Sequence, residues 1–265
     1  MASTLTLPDG YALSYETAGR GSDRDPVVLL HDGILSMVAW DRLTPELAGG
    51  RRVVRYDRRG FGASATPETP YSNEADLQAL LDALEIRRAD VVAASGGGGV
   101  ALSLALAHPE RVGRLVLVGA ALPGLSFSAQ FHARAARAFA PLVEARDMSG
   151  SIERWAADSW LVTGDRPGVR QEVRDLLSAH PRSLINPPGL ATPSALSAAD
   201  LSGLDRDVLV VVGSEDHPDV HAHAGAIAFA LPRAERVLID DAGHFVYLER
   251  PDAFAEAVRA FLDGS

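Results

Sequence analysis

The residue whose type and neighbours most invite chemistry is Ser95. It stands between an apolar run, Val91-Val92-Ala93-Ala94, and a glycine run, Gly96 to Gly99, that leads into Val100. A serine on a tight strand-to-helix turn has a strained backbone and leaves room only for small residues two places before and after it. Those residues are Ala93 and Gly97, so the usual Gly-x-Ser-x-Gly pattern is altered by one methyl. The helix behind the serine directs backbone N–H groups and a positive dipole end at its hydroxyl. That is the setting of a nucleophile. A glycine-rich turn carrying an incidental serine has the same local look. A dinucleotide loop fits poorly, because Gly-x-Gly-x-x-Gly matches the run only trivially and the run follows the fourth or fifth strand.

A serine hydroxyl is a weak nucleophile and needs a base and an acid that orients the base. Two stretches supply candidates. Val212-Gly213-Ser214-Glu215-Asp216 follows the penultimate apolar run, and Asp240-Asp241-Ala242-Gly243-His244-Phe245 follows the last one. His244 is the candidate base. Asp216 is the candidate acid, with Glu215 and Asp219 as local rivals. Open α/β sheets place their sites at such C-terminal strand ends. His217, His221 and His223 raise the question of a metal, and His217 and His221 could share a helical face. Nothing else completes a ligand set, so no metal and no cofactor are expected.

The elements that must hold these residues alternate. Thr4 to Leu7 and Tyr11 to Tyr15 read as strands around Pro8-Asp9-Gly10. Val27 to Leu30, Val53 to Tyr56, Val91 to Ala94 and Leu115 to Val118 are short apolar strands of the kind covered on both faces. Helices are expected over 40–48, 73–84 and 100–107. The alternation lapses from about Leu122 to Asp205. That stretch has helix-like segments at 130–144 and 171–178 and a break at Asn186-Pro187-Pro188-Gly189. It resumes with a strand over 208–212, a helix over 222–231, a strand over 236–239 and a helix over 251–262. An α/β core with a helical insertion is the economical description.

With these pieces in place the chain resembles the α/β-hydrolase superfamily over essentially its whole length. The resemblance rests on His31 and Trp40, on Tyr56-Asp57-Arg58-Arg59-Gly60-Phe61-Gly62-Ala63-Ser64, and on the Ser95 turn with Ala107-His108-Pro109-Glu110-Arg111-Val112. It rests also on Gly213-Ser214-Glu215-Asp216 and on Gly243-His244-Phe245 followed by Leu248-Glu249-Arg250-Pro251. It implies an α/β-hydrolase fold with a mostly parallel eight-stranded sheet flanked by helices. The core would be residues 1–121 and 206–265, and residues 122–205 a helical lid. It implies Ser95 as nucleophile, His244 as general base and Asp216 as its orienting acid. By alignment Gly33 and Gly96 supply the oxyanion N–H groups. Asp57 would buttress a turn.

One position departs from the family. Its His-Gly-x loop here reads His31-Asp32-Gly33. A carboxylate aimed at a developing oxyanion would oppose donors that contribute roughly 3–4 kcal/mol each. Asp32 is therefore expected to turn away and close its own Asx turn. The sharper alternative makes it a substrate-contacting or proton-handling group. Expected pocket residues are Asp32, Phe61, Phe127, Phe131, Trp155, Trp160 and Phe245, an aromatic set that suggests a hydrophobic or aromatic substrate.

Composition narrows the chemistry further. The chain has 265 residues, no cysteine and no lysine, so all 25 basic residues are arginine. Thiol nucleophiles, zinc–thiolate sites, lysine Schiff bases and P-loops are excluded. A net charge of −10 argues against nucleic acid as a partner. The first ten residues lack the marks of a signal peptide and no apolar run reaches membrane-spanning length, so a cytoplasmic protein without a membrane partner is expected. Oligomeric state stays open. The leading expectation is a serine hydrolase cleaving a small hydrophobic or aromatic ester or lactone through an acyl-enzyme. Two alternatives stand beside it. One is a non-hydrolytic tailoring enzyme (cyclisation, elimination or cofactor-free oxygenation) that uses Asp32. The other is a ligand-binding protein with an idle triad.

Overall fold

The computed structural model describes residues 2–186, 189–192 and 198–264. Pro187 and Pro188 of the expected break, and residues 193–197 of the insertion, lie outside that range. Among the described residues eight strands form one sheet in the order β1-β2-β4-β3-β5-β6-β7-β8. They are β1 (Ser3–Thr6), β2 (Ala12–Ala18), β3 (Val27–Leu30), β4 (Val53–Tyr56), β5 (Ala89–Ala94), β6 (Val112–Val118), β7 (Val208–Gly213) and β8 (Ala234–Ile239). β2 runs antiparallel to both of its neighbours, and β4 through β8 are joined in parallel.

The helices are α1 (Leu43–Ala48), α2 (Asn73–Ala83), α3 (Gly96–Ala107), α4 (Ala129–Ala145), α5 (Met148–Ala156), α6 (Pro167–Ala179), α7 (Ala198–Leu201), α8 (Pro218–Ala230), α9 (Val246–Glu249) and α10 (Pro251–Asp263). Side chains alternate across each strand, so the sheet builds two cores. Val27, Leu29, Val92 and Val116 face Trp40, α1, α10 and the helices α4 to α6 that lie between β6 and β7 in the chain. Val28, Leu30, Val91 and Leu115 face α2, α3 and α8. No described helix is long and apolar enough to cross a membrane.

From β3 the chain goes to β4 on one side of it and then to β5 on the other. Such a reversal opens a crevice at the carboxyl ends of the two central strands. His31 to Gly33 leave β3 there and Ser95 leaves β5 there.

Three helix boundaries differ from the sequence reading, each for a local reason. The helix expected over 40–48 is split into a 3₁₀ turn, Met37–Trp40, and α1. Pro45 has no N–H for the Asp41 carbonyl, which favours a break there, and α1 starts with Pro45 in its first turn. α8 begins at Pro218, where proline's fixed φ and missing N–H suit a first helical position. α3 begins at Gly96 and not at Val100. Its glycines serve close packing. A Cβ on Gly97 would lie 2.6 Å from the His31 carbonyl and 3.0 Å from that of Leu30, and one on Gly98 would lie 2.4 Å from Ala120 Cβ.

Backbone oxygens cannot yield as a flexible side chain can. Gly97→Ala is expected to destabilise the fold by about 1–3 kcal/mol. Gly99→Ala, whose new methyl meets nothing closer than 3.8 Å, is expected to be neutral or to stabilise by up to ~1 kcal/mol through helix propensity. Urea unfolding of the two variants checks the contrast.

Candidate active site

Ser95 has φ 47° and ψ −115°. For a residue with a side chain this is a strained conformation, costing of order 1–3 kcal/mol. Its own N–H donates to the Val118 carbonyl at 2.8 Å, tying the turn to the end of β6. Ser95 lines a cavity of about 130 Å³ together with Asp216 and His244.

Asp216 and His244 come from different loops, and three glycines let those loops meet. A Cβ on Gly213 would overlap the Gly243 and Ala242 carbonyls, at 2.2 and 2.3 Å. One on Gly243 would lie 2.7 Å from the Trp160 carbonyl. Gly119, at φ +53°, would carry a Cβ 2.9 Å from His244 Cε1. Asp216 Oδ2 lies 2.8 Å from His244 Nδ1, and Asp216 Oδ1 accepts from the His217 N–H at 2.6 Å. Glu215 is exposed, and Asp219 accepts instead from the Ser128 N–H. Burial by itself would lower the His244 pKa; the Asp216 carboxylate, with Asp32, outweighs burial and holds the imidazole above its ordinary value. Arg134 opposes that effect.

The backbone around His244 is held from the segment between α5 and α6. The N–H groups of His244 and Phe245 donate to the carbonyls of Trp160 and Leu161 at 2.8 and 3.0 Å. Buried Glu249 bridges the same two segments. It accepts from the Gly243 N–H at 2.6 Å and the Thr163 N–H at 2.7 Å.

Asp32 lines the cavity with both carboxylate oxygens hydrogen-bonded. Oδ1 accepts from the N–H groups of Ile34 and Leu35 at 2.7 and 2.9 Å, and Oδ2 accepts from the Tyr247 hydroxyl at 2.8 Å. Its carbonyl is held as well. His31 Nε2 accepts from the Arg58 N–H at 3.0 Å, so the ring proton sits on Nδ1 and is donated to the Asp32 carbonyl at 2.7 Å. Burial, with Arg58 adding to it, keeps His31 well below its ordinary pKa and neutral. Arg58 Nη2 donates to the same carbonyl at 2.5 Å. A planar trans peptide with its carbonyl pinned has its N–H, here that of Gly33, pinned in the opposite direction. Gly33 N lies 4.0 Å from the place a Gly96 Cβ would occupy, so the loop after β3 passes close to the start of α3 beside Ser95.

Of the aromatic residues expected at the pocket, Phe131, Trp155 and Phe245 line the cavity with Ser95. Phe127 and Gly96 line a second cavity of about 610 Å³ next to it. Phe61 and Trp160 line neither. Phe61 is packed between the His31 ring, 4.8 Å away, and the Arg58 guanidinium, 4.6 Å away. Trp160 packs edge-on to His217 at 5.0 Å. Asp57 accepts from the Met37 and Ala63 N–H groups, at 2.7 and 2.9 Å, and so holds a turn. No group of three or more described His, Asp or Glu side chains could hold a metal ion.

Sequence reasoning missed Arg134, Gly119, Glu249 and Tyr247. Arg134 lines the Ser95 cavity and is paired with Asp158 at 2.6 Å. Its signal was an arginine on the apolar side of an amphipathic helix. Tyr247 could have been sought as the donor that a buried Asp32 requires. Tyr247→Phe leaves one buried carboxylate oxygen without its donor, and a loss of about 1–3 kcal/mol in stability is expected by urea unfolding.

Comparison with known proteins agrees with this architecture. The family model for the alpha/beta hydrolase fold matches residues 25–251. A 2-hydroxymuconate semialdehyde hydrolase of Pseudomonas sp. (strain CF600) is 32% identical, covering 89% of this chain and 86% of its own. Among solved structures, a hydrolase from Pseudomonas aeruginosa superimposes with a TM-score of 0.80 at 32% identity, covering 98% of each chain. An enol-lactonase from Burkholderia xenovorans LB400 does so with a TM-score of 0.83 at 26% identity, covering 98% of this chain and 100% of its own. These relatives are named as hydrolases, and the chain belongs to the alpha/beta-hydrolase family.

Proposed function

We propose that this protein is a serine hydrolase that cleaves a small ester or lactone with a hydrophobic or aromatic portion, through an acyl-enzyme. The observation that carries this reading is the 2.8 Å contact between Asp216 Oδ2 and His244 Nδ1 in a cavity that also contains the strained Ser95. His244 Nε2 takes the Ser95 proton as Oγ attacks the substrate carbonyl. The N–H groups of Gly33 and Gly96 hold the oxyanion. The imidazolium returns its proton to the leaving oxygen as the C–O bond breaks. Water, deprotonated by His244, then attacks the acyl-enzyme and frees Ser95.

The engaged carboxylate of Asp32 favours this reading over one in which Asp32 handles protons. Its two oxygens accept from three donors, Ile34, Leu35 and Tyr247, which fix the side chain in place. Residues 122–205 act in this reading as a lid, with Phe131 and Trp155 from α4 and α5 excluding water and receiving apolar substrate atoms. The relatives named as an enol-lactonase and a semialdehyde hydrolase fit a small-molecule substrate with a reactive carbonyl.

A fluorophosphonate probe is expected to label Ser95 in the folded protein and not to label Ser95→Ala. Failure to label overturns the reading. The pH profile offers a second check. His244 acts as a base only when neutral, and its pKa is held above 6.5. The rate constant kcat/KM is therefore expected to fall with decreasing pH through a midpoint above that value. Asp216→Asn removes the group that raises the pKa, so the midpoint is expected to move down while the plateau falls roughly 10³–10⁴-fold.

A further inference from the structure

Arg58 is a buried cation that the folded protein uses only in part. The residue is 6% exposed, and it forms no ion pair among the described residues, which include every Asp and Glu of the chain. Nη2 donates to the Asp32 carbonyl. Nε is buried and meets no acceptor among the described residues. The Asp32 carboxylate attracts the guanidinium through space, but its oxygens are occupied by Ile34, Leu35 and Tyr247. Buried charges are normally paired, because an uncompensated ion in a low-dielectric setting is costly. Arg134 illustrates the usual arrangement, with Asp158 at 2.6 Å.

The position of Arg58 says what would pair with it. It lines the 610 Å³ cavity with Gly96, Gly99 and the apolar Val100, Leu122 and Phe127. Arg58 Nη2 lies 3.9 Å from the place a Gly96 Cβ would occupy, so the guanidinium stands one residue from Ser95. The first turn of α3 adds free N–H groups and a positive dipole end on the same side. The one carboxylate on this cavity's wall, Glu74, lies 3.6 Å from His108 Nε2 and is not paired with Arg58. Holding a carbonyl needs a single donor. A planar guanidinium with unused donors matches a carboxylate, which accepts two parallel N–H bonds.

We propose that Arg58 is a specificity residue that binds a carboxylate carried by the substrate, seated in the larger cavity while the scissile carbonyl lies at Ser95. The proposal rests on the serine-hydrolase reading and names its substrate class: an ester or lactone bearing a second, ionised carboxyl group a short carbon chain from the reacting carbonyl. The two oxygens of that carboxylate take the Nε–H and the second Nη2–H, which lie parallel on one edge of the guanidinium, and the apolar wall covers the intervening carbons.

The test uses the non-turnover variant Ser95→Ala and two ligands, monomethyl glutarate and dimethyl glutarate, with affinities from calorimetric titration. The monoanion is expected to bind at least tenfold more tightly than the neutral diester. Adding Arg58→Met is expected to abolish that preference, and Arg58→Lys to retain part of it. In the enzyme with Ser95 intact, the ratio of kcat/KM for mono-p-nitrophenyl glutarate over p-nitrophenyl valerate is expected to fall at least tenfold on Arg58→Met, mainly through KM. Equal losses for both esters would mark Arg58 as a purely structural residue and overturn the proposal. So would the absence of any preference for the monoanion in the Ser95→Ala protein, a measurement that needs no change at position 58. Fluorophosphonate labelling of Ser95 is scored separately. Labelling without anion preference rejects the role of Arg58 alone, and anion preference without labelling rejects the hydrolase reading alone.

Discussion

The left-handed backbone of Ser95 is the constraint on which the neighbouring structure depends. It persists because both sides of the turn are held. Its N–H is bound to the end of β6, and the glycines behind it let α3 press against the ends of β3 and β6. A helix opening with four glycines has poor intrinsic stability, about 1 kcal/mol per residue below alanine. Close packing of that helix against two strand ends offsets the deficit. The same approach brings the first turn of α3 beside the loop after β3, where Gly33 is found.

Around this turn, polar side chains tie together loops that are far apart in the chain. Tyr247 reaches Asp32 across 215 positions. Glu249 joins the loop after β8 to the segment between α5 and α6. His31 and Arg58 hold one carbonyl between them. Each contact satisfies a buried group that would otherwise cost 1–3 kcal/mol, and together they limit how the site can move. The proposed catalytic groups sit on loops, but on loops whose backbone is fixed at several points. Pre-organisation of this kind is what electrostatic stabilisation of a transition state requires.

Charge is distributed to suit. With no lysine in the chain, every fixed side-chain cation is an arginine with a planar, directional fork. Most are spent on carboxylates, as Arg51 is on Asp90 and Arg59 on Asp76. Arg58 differs, and the difference modifies the substrate expected from the pocket aromatics. Those suggested a hydrophobic or aromatic substrate; a guanidinium beside Gly96 with no ion pair among the described residues favours one that also carries an anionic group.

Much was legible in the sequence because the signals are local. Apolar runs of four to six residues mark strands covered on both faces. Ser95 with Ala93 and Gly97 marks a turn where larger side chains would collide. The acidic and imidazole candidates stand just after strands, where open sheets form their crevices. The sequence by itself therefore determined the α/β alternation, the family, the residue types available for chemistry and the short list of Glu215, Asp216 and Asp219. Tertiary structure decided which carboxylate meets His244, because that depends on how the loops after β7 and β8 pack through Gly213 and Gly243. It decided that Phe61 and Trp160 pack against histidines while Arg134 and Arg58 reach cavities. It also decided the direction of Asp32, since a carboxylate turns toward its donors, and one of those donors lies 215 residues away.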